Sequence, residues 1–243
     1  MKKLLRAACF VLTAWFSSAQ ADNVRVGFYN YPPMMIESAR SGIYQDILNE
    51  LSVVTGHRFQ GEYFPYARLS TQFDAGLIDL EPGVFPGWIK QQKVQGLFSV
   101  PFGKVVDVLV FAPGKQFAVK TPRDLSGRTI GLVRGYTYPD LRELFETGAL
   151  HRVDAVSEAQ LMAMLAGARI DQILINKAVA QYNIRETPKY HDFVIGDVLG
   201  SFDVSMRIHP SKKDLLPKLD EAIVSMKRSG AFTRIYAKYG VSL

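Results

Sequence analysis

The sequence predicts an α/β protein of two lobes, each with a mainly parallel sheet flanked by helices, joined by two connecting strands. Two observations support this prediction. Short runs of apolar and β-branched residues alternate with segments in which apolar residues recur every three or four positions. This alternation also begins twice, and the segment Ala-Pro-Gly at 112–114 separates the first series from the second.

The first series has the order β-α-β-α-β, the pattern of parallel strands covered by helices. The first helix has its apolar residues on one face and ends before Gly56, and the second follows Pro65 and ends before Gly76. Strands are expected at 24–28, 58–64, 78–80 and 105–111, and helices at 43–54 and 67–75.

The second series contains more strands and closes with two helices. Gly135 leads from a strand into a helix, and Ser157 is a typical N-cap. A helical turn is expected at 122–127, helices at 139–145, 157–166, 177–185, 214–228 and 232–239, and strands at 129–133, 152–156, 171–175, 193–198 and 202–208.

The two closing helices have no sheet of their own, so we expect them to pack on the first lobe. The chain would then cross between the lobes twice, near 111–115 and near 200–204, which makes a hinge. The predicted first lobe comprises 22–112 and 202–243, and the second comprises 113–201. Because clefts between lobes commonly hold small ligands, we expect the binding site there.

The first residues have the features of a secretory signal peptide. Three basic residues lie among the first six, an apolar run covers 7–16, and Ala-Gln-Ala stands at 19–21. The apolar run is shorter than the roughly 18 residues that a membrane-spanning helix requires. We therefore expect cleavage after residue 21 and a periplasmic protein with no membrane insertion after processing. No disulfide is expected, since Cys9 is the only cysteine.

The composition argues against several functional classes. The formal net charge is +6, of which the first six residues supply three, and no basic stripe is present, so nucleic acid is not an expected partner. The four histidines lack metal-site spacing, and the motifs G-x-S-x-G, H-E-x-x-H and the P-loop do not occur. We therefore expect no metal, no cofactor and no catalytic residues.

Two acidic residues, Asp79 and Glu81, lie at the end of the predicted strand 78–80. Strand alternation would place both carboxylates on one face, at the carboxyl end where the ligand sites of α/β sheets lie. Alternatively, Asp79 caps a turn and only Glu81 faces the cleft, which is the preferred interpretation.

Several short segments together resemble one protein family. They are Val-Arg-Val-Gly at 24–27, Tyr-Pro-Pro at 31–33, Pro-Tyr-Ala-Arg at 65–68, Gly-Leu-Ile-Asp at 76–79, Leu-Phe-Ser at 97–99, Pro-Phe at 101–102, Asp-Leu-Ser-Gly-Arg at 124–128, Ile-Gly at 130–131, Gly-Tyr-Thr-Tyr at 135–138 and Gly-Ala-Phe-Thr-Arg-Ile-Tyr at 230–236. In this order and spacing, they resemble the periplasmic solute-binding proteins of polar-amino-acid ABC transporters over essentially the whole chain after residue 21. The resemblance implies a type II periplasmic-binding-protein fold that closes on a small polar solute. It also implies a monomer that delivers the solute to an inner-membrane ABC permease.

The resemblance also implies which residues contact the ligand. Tyr31 occupies the loop after the first strand, Tyr66 takes the place of a ring that stacks on the ligand, and Phe85 belongs to the cleft floor. Tyr136 and Thr137 stand where the family has small hydroxyl residues at the amino end of a helix. Free N–H groups and the helix dipole there favour an anionic group, while helix capping is the alternative role of Thr137.

Two positions depart from the pattern of the family. The stretch 89–94, where the family has an arginine that binds the ligand carboxylate, contains Gln92 and Lys93 but no arginine. The acid that binds the ligand ammonium is replaced by Asn176. Each missing contact is worth roughly 1.5–3 kcal/mol, so the usual pose of a standard α-amino acid is not expected. The residues that could compensate are Arg68, Arg134, Glu81 and Trp88, although Arg68 could extend to solvent and Trp88 could serve loop packing.

Two alternative functions are compatible with the same scaffold. Some of its members are periplasmic dehydratases of the cyclohexadienyl-dehydratase type, and Glu81 would then act as acid or base. A ligand-sensing partner of a membrane receptor is the other alternative, because transport and sensing use the same closed conformation.

Overall fold

The computed structural model describes residues 23–241, and the predicted signal peptide at 1–21 lies outside them. The described residues form nine strands and seven α-helices, with several short 3₁₀ turns. In chain order they are β1 (Asn23–Phe28), α1 (Ile43–Thr55), β2 (Arg58–Tyr63), α2 (Tyr66–Asp74), β3 (Leu80–Val84), β4 (Leu97–Phe98), β5 (Gly103–Phe111), β6 (Thr129–Val133), α3 (Arg142–Glu146), β7 (His151–Ala155), α4 (Glu158–Ala166), β8 (Gln172–Asn176), α5 (Lys177–Glu186), β9 (Val194–Ile208), α6 (Leu216–Arg228) and α7 (Ala231–Lys238). No helix in residues 23–241 is both long enough and apolar enough to cross a membrane.

The first lobe is built around β1, which pairs in parallel with β2 and β3. Both β3 and the two-residue strand β4 pair antiparallel with the C-terminal part of β9. The apolar face of α1 is buried, as its helical periodicity predicts, and α6 and α7 pack against this helix. Just after α7, the Tyr239 hydroxyl donates to Asp46 of α1 at 3.0 Å and accepts from the Gly42 N–H at 3.1 Å. The C-terminal helices therefore complete the first lobe.

The second lobe contains β6, which pairs in parallel with β7 and β8, and β5, which pairs antiparallel with β8 and β9. The overall strand order is β2-β1-β3-β9-β5-β8-β6-β7, and β9 runs through both lobes. All antiparallel pairs of named strands in the described residues involve β5 or β9, and the remaining pairs are parallel. This arrangement confirms the predicted two-lobed α/β fold.

The connection between the lobes differs from the one that the sequence predicted. Phe111 pairs with residues of β8 and β9, so the end of β5 belongs to the second sheet, and the expected crossing at 111–115 is wrong. The Ala-Pro-Gly segment is only a turn at the end of that strand. We propose instead that the antiparallel ribbon of 103–106 with 201–204 joins the lobes, and that the second lobe spans 107–200.

Two elements near the cleft also differ from their predictions. The strand expected to end at residue 80 continues to residue 84, with an irregular register against β9. It includes Gly83, whose φ is +77° and where a Cβ would collide with the Tyr44 ring, so only glycine fits. The helix expected at 139–145 is a 3₁₀ turn at Pro139–Leu141 followed by the five-residue α3.

Candidate ligand-binding site

A cavity of about 290 Å³ lies between the two lobes. Pockets that bind small molecules have volumes of roughly 300–1,000 Å³, so this cavity is near the lower end of that range. Its polar and aromatic lining includes Tyr29, Tyr31, Tyr44, Tyr66, Glu81, Trp88, Gln92 and Arg207 from the first lobe, and Asp107, Tyr136, Thr137, Tyr138, Glu158 and Asn176 from the second. Both lobes therefore contribute ionisable and aromatic side chains to the same cavity.

Most side chains that the sequence predicted as ligand contacts line this cavity, namely Tyr31, Tyr66, Glu81, Tyr136, Thr137 and Asn176. Trp88 lines it as well. Contrary to the prediction, Arg68 and Arg134 are exposed and are not among the lining residues. Phe85 is also outside the lining, because it packs against Trp88 and Phe202 with ring centroids 5.8 and 5.1 Å apart. Neither arginine thus compensates for the missing family arginine.

Tyrosine rings form much of the wall and bridge the cleft. Tyr29 contacts Tyr31 and Tyr66 at centroid distances of 5.2 and 5.0 Å. Tyr66 contacts Tyr136 of the opposite lobe at 4.6 Å. Where the face of such a ring meets a ligand, its negative electrostatic potential attracts a cation.

Glu158, the first residue of α4, is a buried carboxylate in this wall. It accepts a hydrogen bond of 2.6 Å from the Tyr136 hydroxyl, which lies 3.0 Å from the Tyr29 hydroxyl. Because each hydroxyl has one proton, Tyr29 donates to Tyr136 while Tyr136 donates to the ionised Glu158. Burial raises the pKa of Glu158 to about 7; the hydrogen bond from Tyr136 opposes this shift, and the charge of Asp107 adds to it.

The raised pKa of Glu158 predicts a pH-dependent stability. Its ordinary value is 4.5 and its folded value about 7, so the folded protein loses stability from this group as the pH rises through that interval. Glu158→Gln keeps an oxygen that accepts from Tyr136 but does not ionise. The measured quantity is the melting temperature of the variant minus that of the unchanged protein. We expect this difference to be more positive at about pH 8 than at about pH 5.

Thermal unfolding followed by circular dichroism at both pH values measures this difference. Asp107, Tyr29, Tyr66 and Tyr136 also interact with Glu158 and are present in both proteins. At about pH 8 the substitution also removes the repulsion between Glu158 and Asp107, which raises the stability of the variant in the same direction. The matched control is Glu146→Gln, at an exposed position of α3, which should shift the melting temperature equally at both pH values. An equal shift for Glu158→Gln as well would contradict the raised pKa.

Asp107 on β5 lies directly opposite Asn176 of β8 in the antiparallel register. Such cross-strand neighbours have Cβ atoms about 4.5–5.5 Å apart on one face of the sheet. Burial raises the pKa of Asp107 to about 6, and the charge of Asp140 adds to this shift. The carboxylate lines the cavity, and it has no hydrogen-bond or salt-bridge partner among residues 23–241.

Glu81 and Arg207 form a buried ion pair in the wall, with 2.6 Å between Oε2 and Nη1. Arg207 also donates from Nε to the Gln95 carbonyl oxygen at 3.0 Å and from Nη2 to the Val94 carbonyl oxygen. Its guanidinium lies 3.7 Å from the centre of the Phe73 ring. Burial raises the pKa of Glu81, and Arg207 opposes this shift. Each guanidinium nitrogen therefore donates within the protein, and Glu81 already has its cation.

Of the two acids Asp79 and Glu81, only Glu81 lines the cavity, as the preferred interpretation expected, but Asp79 does not have the expected role of capping a turn. Its carboxylate is buried and binds the Arg25 side chain, with Oδ1 2.7 Å from Nη2 and Oδ2 3.0 Å from Nε. Oδ2 also accepts from the Arg25 backbone N–H at 2.9 Å. Asp79 is not among the residues that line the cavity, so it neither caps a turn nor faces the ligand site, and instead ties β1 to the start of β3.

Asn176 and Thr137 line the cavity, but their side-chain groups are already engaged. The Oδ1 atom of Asn176 accepts from the first backbone N–H groups of α5, at 2.8 and 3.4 Å, and so caps that helix. The Thr137 hydroxyl donates to the Trp88 carbonyl oxygen of the other lobe at 2.9 Å. Asn176 therefore has no free oxygen for a ligand ammonium, and Thr137 bridges the cleft instead of capping a helix.

Gln92 occupies the stretch where the related family has its arginine. Of the two candidates for that place, Gln92 lines the cavity and Lys93 is exposed. The Oε1 atom of Gln92 is buried and has no hydrogen-bond partner among the described residues. A positively charged group is thus replaced at this place by a neutral one with a free acceptor.

The comparison with protein families agrees with this geometry. A sequence model of the bacterial extracellular solute-binding proteins, family 3, matches residues 24–242. The chain belongs to this family. A comparison with curated protein sequences finds no significant match.

Several solved structures share the fold of this chain. An ancestral arginine-binding protein bound to arginine superimposes with a TM-score of 0.76 at 20% identity, over 89% of this chain and 97% of its own. A histidine kinase sensor domain with similarity to periplasmic binding proteins gives a TM-score of 0.75 at 19% identity, over 89% and 95%. An arginine 3rd transport system periplasmic binding protein from Legionella pneumophila gives 0.74 at 18% identity, over 90% and 100%. At these identities the likeness establishes the fold alone.

Sequence reasoning missed three charged residues of the wall of this family 3 protein, Asp107, Glu158 and Arg207, and three of its tyrosines, Tyr29, Tyr44 and Tyr138. Asp107 interrupts a run of buried β-branched residues and Arg207 interrupts a second apolar strand, and a charged residue inside such a strand is unusual enough to be noticed. Glu158 follows an N-cap, where acidic residues are common, so its sequence context gives no signal of a buried role.

Proposed function

We propose that this protein binds a small polar solute in the cavity between its lobes, works in the bacterial periplasm, and delivers the solute to an inner-membrane ABC transporter. The observation that carries the proposal is the cavity itself. Both lobes enclose it, and it contains an unpaired carboxylate and tyrosine rings that meet across the cleft. A two-lobed protein that closes on its ligand offers a partner a conformation that depends on the ligand.

Family membership and the roles of proteins with a similar fold support the finer parts of this proposal. The Legionella pneumophila protein belongs to an arginine transport system, and another similar structure is the substrate-binding protein of an amino acid ABC transporter. The predicted signal peptide agrees with export to the periplasm. We infer that the processed protein acts as a monomer that docks on its permease.

Tryptophan fluorescence offers a direct test of binding. Of the two tryptophans, Trp15 lies in the predicted signal peptide, so the processed chain would have Trp88 in the cavity wall as its only tryptophan. Titration with amino acids, amines and small organic acids should give a saturable change with one of them. Calorimetry with the unchanged protein should then give a stoichiometry of one ligand per chain. The variant Trp88→Phe should give the same stoichiometry by calorimetry, although it no longer shows the fluorescence change. If nothing in the panel binds below millimolar concentrations, the proposal is wrong.

A sensory role is the second candidate, because a histidine kinase sensor domain shares the fold. Uptake of the identified solute by cells with and without the gene separates the two. Transport predicts that high-affinity uptake is lost, whereas sensing predicts unchanged uptake and a lost response to the solute. A dehydratase would need Glu81 as a free acid or base, and its ion pair with Arg207 supports binding over catalysis.

A further inference from the structure

The charges in the cavity wall do not balance. Among the described lining residues, three carboxylates, Glu81, Asp107 and Glu158, face one guanidinium, Arg207. Arg207 pairs with Glu81, which leaves Asp107 and Glu158 without a basic partner. Glu158 is buried and Asp107 half-buried, and ionisation of a carboxylate that is shielded from water and has no basic partner is costly. A cation from outside the chain would offset this cost for both groups.

A ligand carboxylate would find no free cationic partner among the described residues of this wall. The nitrogens of Arg207 already donate to Glu81 and to backbone carbonyls. In the stretch where the resemblance places an arginine, the residue that lines the cavity is the neutral Gln92. The hydroxyl of Thr137 is engaged as well, and only a 3₁₀ turn and the five-residue α3 follow it. A ligand carboxylate in the cavity would also be repelled by Asp107 and Glu158.

The wall is better suited to a positive group. The position that the resemblance assigns to an ammonium-binding acid holds Asn176, and its oxygen caps a helix. Asp107, directly across the strand pair, supplies a free carboxylate at the neighbouring position. The unpartnered Oε1 of Gln92 is another acceptor, and the rings of Tyr66 and Trp88 add cation–π attraction.

We propose that this cavity selects a small organic cation that has no free carboxylate, with Asp107 and Glu158 as the acceptors of its positive charge. The inference rests on the proposed solute-binding function and specifies the ligand class of that site. It separates this chain from binding proteins that grip an α-amino acid by both its carboxylate and its ammonium group.

Matched pairs of ligands test the inference on the processed chain. Agmatine and arginine, and likewise cadaverine and lysine, differ only by the α-carboxylate. Fluorescence and calorimetric titrations at about pH 7.5 should show at least one amine that binds ten-fold or more tightly than its amino acid. Binding of that amine at about pH 6.5 should also release protons, because its charge favours the ionised acids; calorimetry in two buffers of different ionisation enthalpy measures this release.

The outcomes separate the inference from the proposed function. Two results would overturn the inference of a cation ligand and leave the proposed solute binding intact. In the first, arginine or lysine binds as tightly as its amine. In the second, an acid or a neutral solute from the wider panel binds while the amines do not. Amine binding without proton release would also overturn the role of Asp107 and Glu158. If no member of the panel binds, both proposals fail.

Discussion

Replacing Asp107 by asparagine is expected to lower the affinity for the best-binding amine roughly 10- to 150-fold. The substitution keeps the shape of the side chain and removes its charge. Since Asp107 lines the cavity without an internal partner, its free carboxylate is available for a charge-assisted hydrogen bond to the ligand. Titration of Trp88 fluorescence with agmatine or cadaverine measures the loss.

Thermal stability distinguishes a binding role of Asp107 from a structural one. Asp107 is half-buried and its pKa is raised, so its ionised form lowers the stability of the folded state at about pH 7.5, and Asp107→Asn should melt there at the same or a higher temperature than the unchanged protein. The control is Asp192→Asn, at an exposed position outside the cavity, which should leave the affinity unchanged. An affinity of Asp107→Asn within two-fold of the unchanged protein would show that this carboxylate does not bind the ligand.

Replacing Arg207 by methionine is expected to lower the free energy of unfolding by about 3–5 kcal/mol. The substitution removes the guanidinium from a position that is 1% exposed and leaves Glu81 buried without its cation. It also removes the hydrogen bonds to two carbonyl oxygens of the segment before β4. Urea unfolding at neutral pH measures the change, since the midpoint shifts with stability.

Two further variants identify the cause of this loss. The double variant Glu81→Gln with Arg207→Met removes both charges, so it should recover part of the stability that the single variant loses. Arg123→Met breaks an exposed salt bridge to Glu143 and should cost no more than about 1 kcal/mol. A loss below 1 kcal/mol for Arg207→Met, or no recovery in the double variant, would show that the buried pair is not what stabilises this wall.

Local patterns predicted most elements of the fold, because they depend on neighbouring residues only. The strand at Thr129–Val133 and the helix that Ser157 caps lie where the sequence placed them. The connection between the lobes depends on which distant strands pair, and no local pattern indicates that the residues up to Phe111 belong to the second lobe. For the same reason, two predicted strands proved to be the single strand β9.

In the candidate site, too, some features could be predicted from the sequence and others depended on the fold. The family resemblance implied Tyr66 and Tyr136 as ligand contacts, and the structure brings their rings together across the cleft. The position of a residue in the sequence does not show whether its polar atoms already have hydrogen-bond partners. Asn176 lines the cavity, but its side-chain oxygen caps a helix. Asp107 lies beside Asn176 because β5 and β8 pair in a register that the sequence does not reveal. The unbalanced charge of the wall therefore became visible only in three dimensions.

A crystal structure of the processed chain with the best-binding amine is the most direct test of the central claim, that the cavity between the lobes binds a small cation. We expect one ligand molecule between the lobes, with a positively charged nitrogen about 3 Å from a carboxylate oxygen of Asp107 or Glu158. A ligand bound outside the cleft, or one in the cleft whose nitrogens avoid both carboxylates, would contradict the claim.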